Sequence, residues 1–134
     1  MTEVERVIFD EHVRKEELFR LNYELMGQLL KKDVVADILK KRGWKSCYIY
    51  GGAYLGIQAF YAFSSFIPIA GFIDRAQSLY IPIKEVEVLS LEEFYKQEDN
   101  YPVIITPLEY AKEIKEELLT HISEERIVFL NELF

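Results

Sequence analysis

From Ser46 to Ile73 the chain carries no charged residue, and the run ends on Asp74-Arg75. It is long enough to invite reading as a membrane span, which needs about 20 apolar residues. Four glycines, three serines, Gln58 and Pro68 interrupt it, however, and split it into pieces too short to cross a bilayer. What remains is strand, turn, helix, strand. Cys47 to Tyr50 form a short apolar and aromatic strand, and Gly51-Gly52 lets the chain turn sharply. Ala53 to Phe66 form a helix, with Gly56 placed so that this helix can lie close to the sheet. Leu55, Ala59, Ala62 and Phe66 make its sheet-facing stripe. The opposite side bears Tyr54, Gln58, Tyr61 and Ser65 without a single charge, so that face is expected to be covered, by the N-terminal helices or by a second copy of the chain. Ile67 to Ile73 form the second strand and deliver Asp74 and Arg75 to its end.

The remainder continues the alternation. After a loop at Ala76 to Tyr80, Glu85 to Leu89 read as a short third strand. Ser90-Leu91-Glu92-Glu93 is a capping box that opens a helix to about Tyr95. Tyr101 to Thr106 are a fourth strand. Thr106-Pro107-Leu108-Glu109 read as a second box with proline in the first turn of a helix running to about His121, its buried side made by Leu108, Ala111, Ile114, Leu118 and Ile122. Arg126 to Leu130 are a fifth strand. Strands alternating with helices imply parallel pairing and right-handed crossovers. The simplest result is an α/β fold with an open parallel five-stranded sheet, in the order 3-2-1-4-5.

Residues from about Asp10 to Gly43 have a helical pattern, with Gly27 a weak point, Asp33 placed to cap a second helix over Val34 to Arg42, and Gly43 ending it. Two stripes lie side by side in the first helix: Leu18, Leu21, Leu25 and Leu29, then Phe19, Tyr23, Met26 and Leu30. That is more apolar surface than one sheet face needs, so the helix is expected to be wedged between layers or to pack against another subunit. Residues 1–43 thus read as a helical extension packed on an α/β domain at 44–134.

A length of 134 residues with half of them hydrophobic fits one domain with a substantial core. The net charge of −7 argues against nucleic acid or an anionic membrane as partner, since both need a basic face. The basic cluster Lys31, Lys32, Lys40, Lys41, Arg42 and Lys45 lies before the first strand, at the edge of the sheet opposite the one where ligands bind, and reads as a solvated helix end. Cys47 is single and sits on a central strand, so a buried, inert thiol is expected. His12 and His121 stand apart without ligand spacing, and no metal is implied. A cytoplasmic location is the expectation, because Met1 to Arg6 precede no signal-type apolar core.

The segments Tyr48-Ile49-Tyr50-Gly51-Gly52-Ala53-Tyr54-Leu55-Gly56, Gly71-Phe72-Ile73-Asp74-Arg75, Val86 to Phe94 and Val103-Ile104-Ile105-Thr106-Pro107 carry a family likeness. From about Trp44 onward the chain resembles bacterial Rossmann-like modules. These stand at the front of sugar O-acyltransferases of the sialic-acid O-acetyltransferase type and of membrane nucleotide-sugar dehydratases. The resemblance implies a crevice lined by Gly51, Gly52, Ala53, Tyr54, Gly56, Asp74, Arg75, Thr106 and Pro107, with a nucleotide, a nucleotide-sugar or NAD(P) as ligand. The pattern of that family has its second glycine where this chain has Ala53. A methyl group there crowds a pyrophosphate, which favours a mononucleotide or nucleotide-sugar over a dinucleotide.

Chemistry finds little support in the residues. Tyr80 and Lys84 have the spacing of a short-chain dehydrogenase pair, but Pro82 bars the helix that would bring them together. Glu92, Glu93, Glu116 and Glu117 read as solvated helix acids. Three functional readings stand: a nucleotide or nucleotide-sugar binding module beside surface-polysaccharide enzymes, a small NAD(P)-dependent oxidoreductase, and a homodimeric interaction module paired through the N-terminal helix or the aromatic helix faces.

Overall fold

A computed structural model describes residues 2–51, 53–75 and 83–134, the side chains of Ile8 and Phe9 excepted. Its elements are α1 (Glu3–Leu29), α2 (Lys32–Arg42), β1 (Cys47–Tyr50), α3 (Tyr54–Phe63), β2 (Ile69–Ile73), β3 (Val88–Leu89), α4 (Leu91–Tyr95), β4 (Val103–Ile105), α5 (Ala111–Leu118) and β5 (Ile127–Phe129). The five strands form one sheet in the order β3-β2-β1-β4-β5, every pair parallel. This is the expected Rossmann-like topology.

Alternation along the strands divides the core into two layers, because successive side chains point to opposite faces. Cys47, Ile49, Phe72, Ile104 and Val128 pack against α1, α2 and α3. Tyr48, Tyr50, Ile73, Val103, Ile105 and Ile127 pack against α4 and α5. The sheet is therefore covered on both faces, which its near-continuous apolar strands require.

Several element ends differ from the sequence expectation. Helix α1 starts at Glu3, where Thr2 and Glu5 form a reciprocal capping box (3.1 and 2.9 Å). It runs through Gly27 and breaks at Leu30–Lys31, so Asp33 lies in the first turn of α2, and Lys31 is its extended capping residue. Gly43 ends α2 with φ 65°, as expected. In α3 the sheet-facing stripe is Leu55, Gly56, Ala59, Phe60 and Phe63. The helix stops at Phe63, so Phe66 turns outward and is 44% exposed.

The far face of α3 is covered in part. The Gln58 side-chain amide donates to the Met26 carbonyl (3.2 Å), tying α3 to α1. Tyr54 and Tyr61 remain exposed. No described helix is long and apolar enough to cross a membrane.

Candidate functional site

In an open parallel sheet, ligands bind beyond the carboxyl ends of the strands, at the point where the strand order reverses. Here that point lies between β1 and β4. A cleft of about 260 Å³ opens there, lined by Tyr50, Gly51, Asp74, Arg75, Pro107, Tyr110, Glu113 and Ile114.

The turn beneath it is tightly built. Gly51 has φ 100°, a conformation that L side chains rarely adopt, and a Cβ on it would meet Pro107 and the Thr106 hydroxyl at 2.8 Å. A Cβ on Gly56 would fall 1.8 Å from the Gly51 carbonyl oxygen. The Thr106 hydroxyl donates to the Tyr50 carbonyl (2.7 Å), which also accepts the Thr106 backbone N–H (3.2 Å). Thr106 is thus not a helix cap. Its hydroxyl is drawn inward to pin the end of β1, and α5 accordingly starts only at Ala111, with Tyr110 before it and no side-chain cap.

Of the residues expected to line the crevice, Gly51, Asp74, Arg75 and Pro107 meet in this cleft. Gly56 and Thr106 are buried behind its wall. Ala53 and Tyr54 are exposed, outside the cleft lining, at the start of α3. Gly52 lies outside the described residues, as do the Ala76 to Tyr80 loop and the Tyr80 end of the dehydrogenase-like pair. Tyr50, Tyr110, Glu113 and Ile114 also line the cleft and are not among the expected crevice residues. The helical period of α5 was readable, but not which of its faces meets the end of β1.

The electrostatics are mixed. The Arg75 guanidinium is held in an ion pair by Glu117 of α5. Glu117, expected to be a solvated acid, is thus engaged at the mouth. Burial pushes the Tyr50 phenol above its ordinary value, against the opposing effect of the Arg75 charge. Asp74, Glu113 and Glu117 make the mouth acidic around one arginine. Ala53 gives the start of α3 no side-chain cap, so that helix end presents backbone N–H groups to the same edge.

Beyond Tyr110 and Glu113, which both hollows share, a groove of about 510 Å³ runs between α1 and the segment before α5, with Arg14 and Lys15 on its α1 side. Among the described residues, no three histidine, cysteine or acidic side chains gather so as to hold a metal ion. Cys47 is buried, and burial pushes its thiol up to about 12.

No family model matches the chain, and neither a curated protein nor a solved structure does. Fold and site together define a class: a parallel α/β sheet of Rossmann-like topology with a small cleft at its switch point.

Proposed function

We propose that the chain is a binding module for a nucleotide or nucleotide-sugar, without chemistry of its own, working beside enzymes that build or modify bacterial surface polysaccharides. The observation that carries the binding reading is the cleft at the β1/β4 switch point with Asp74 at its rim. Asp74 follows β2, where a carboxylate can accept hydrogen bonds from ribose hydroxyls. The exposed ring of Tyr110 offers a face on which a base can stack. Phosphate belongs over the uncapped start of α3 rather than in the acidic mouth. At about 260 Å³ the cleft suits one nucleoside-sized group; drug-sized ligands occupy roughly 300–1,000 Å³. The link to polysaccharide enzymes rests on the sequence likeness alone.

The test is thermal unfolding against a panel of uridine, adenine and guanine nucleotides, nucleotide-sugars and NAD(P). A ligand at a hundredfold excess over its Kd should add about 2.7 kcal/mol, a rise of roughly 5–15 °C. Asp74→Ala should abolish most of that rise, read against the variant's own unliganded melting temperature. A flat response across the panel removes the binding reading.

A second reading, that the chain pairs with its own copy, is favoured by a separate observation. Phe19 and Tyr23 of α1, and Leu30 just past its end, are each more than two-thirds exposed.

A further inference from the structure

We infer that α1 is the two-fold interface of a homodimer in which Phe19 of each copy enters the hollow beside Leu30 and Tyr61 of the other. The inference rests on the self-pairing reading and gives it a register.

At 3.6 residues per turn, Leu18, Leu25 and Leu29 share the side of α1 that faces the domain. Glu16, Phe19, Tyr23, Gly27 and Leu30 lie on the opposite side. Phe19 (73% exposed) and Tyr23 (71%) stack on one another, with ring centroids 6.2 Å apart, and form a two-ring ridge. Gly27 stands in line with them. A glycine inside a helix costs about 1 kcal/mol relative to alanine. A Cβ on Gly27 would meet nothing within 4 Å, so no contact among the described residues requires a glycine there. A second backbone crossing close to α1 does supply a reason.

The ridge has a matching recess on the same chain. Leu30 (73% exposed) and Tyr61 (58%) border a hollow of about 170 Å³ between the end of α1, the start of α2 and α3. Leu29 and Val35 line its floor, and Lys32 is on its rim. Phe19 and Leu30 are eleven residues apart, about 16 Å along the helix. A two-fold axis crossing α1 midway, between Tyr23 and Met26, lays two copies antiparallel and sets each Phe19 against the other copy's hollow. This is the self-complementary arrangement an isologous interface demands.

Charge agrees with the same register. Glu16, one turn before Phe19, then comes to Lys32 on the rim of the opposite hollow. Among the described residues, the ion pair of Glu16 is with His12, at 3.0 Å and largely in solvent. Two chains of net charge −7 repel at long range, so a local match of acid to base at each end of the contact is what allows an approach.

Sedimentation velocity of the full chain over a range of concentrations tests this. A reversible dimer is expected. Phe19→Ala and Tyr23→Lys should each weaken it at least about tenfold. Glu16→Lys should weaken it, and adding Lys32→Glu should restore affinity to within about threefold of the parent. All four positions are exposed, and circular dichroism and thermal melting that match the parent's at concentrations where both are monomeric keep misfolding from imitating lost pairing. A chain that stays monomeric at high micromolar concentration overturns both this inference and the self-pairing reading. A dimer indifferent to Phe19→Ala and to the charge exchange overturns the α1 register alone. Neither result bears on the nucleotide panel, which is read on the opposite side of α1.

Discussion

Gly56 decides how closely α3 can sit on the turn that precedes it. Its missing side chain leaves room for the Gly51 carbonyl oxygen, which a Cβ would approach to 1.8 Å. The obstacle is backbone, so it cannot rotate aside. Gly56→Ala should therefore push the first turn of α3 away from β1 and cost about 2–3 kcal/mol, read as a lowered urea midpoint. The same argument limits what the glycines say about function, since the fold requires them whether or not anything binds. The proposed binding rests instead on Asp74, Tyr110 and Glu113, which line the cleft. If Gly56→Ala left stability unchanged and only weakened a ligand, the glycine turn would have to be read as a binding feature after all.

Strand β1 is the central element, and it concentrates groups that must stay neutral. Cys47, Tyr48 and Tyr50 are all buried. Burial raises all three, and for Tyr48 the carboxylate of Asp99, which accepts its hydroxyl, raises it further. A group whose value is raised on folding contributes stability in full below its unfolded value and loses it as pH rises through the folded one. For Cys47 that window opens near the ordinary 9.0 and closes near about 12. The urea midpoint should hold through neutral pH and then fall above about pH 9, less steeply in Cys47→Ala once its cavity cost is subtracted. A midpoint constant up to about pH 11 would contradict burial of these groups. Features set by neighbouring residues were legible in the sequence, and those set by tertiary contacts were not. The bounds of β1, the stop at Gly43 and the Ser90–Glu93 capping box (3.1 and 3.2 Å) are local signals and stood as read. Thr106 misled because its hydroxyl had a tertiary partner, the Tyr50 carbonyl, that the local capping pattern could not reveal. Phe63 replaced Phe66 in the core because α3 ended a turn early. The Thr2–Glu5 box is visible in the sequence, with Val4, Val7 and Ile8 at helical spacing directly after it, yet the expected helix began only at about Asp10. The contact of Arg75 with Glu117 joins residues 42 apart in sequence, and only the β4–α5 geometry brings them together.

At the scale of the whole molecule, α1 is the part least accounted for by one chain. Its 27 residues extend about 40 Å, yet burial along it is uneven. Leu25 and Leu29 are buried, Leu18 and Asn22 partly so, and from Glu3 to Glu17 only Val13 among the described side chains is partly covered. Most of a helix's stability in a protein comes from packing rather than propensity. In a single chain the first half of α1 should therefore open far more readily than the second. Hydrogen exchange measured at low concentration should show amides of residues 5–17 exchanging near the rate of a frayed helix. Residues 22–29 should be protected by several orders of magnitude, and β1 most of all. Raising the concentration into the dimer should slow exchange first around Phe19 and Tyr23, because a helix laid across that face shields the amides beneath it. Strong protection from Glu3 onward at the lowest concentration would mean that α1 is stabilised along its whole length by the chain itself. In that case the exposed aromatic ridge would no longer need a partner to explain how so long a helix persists.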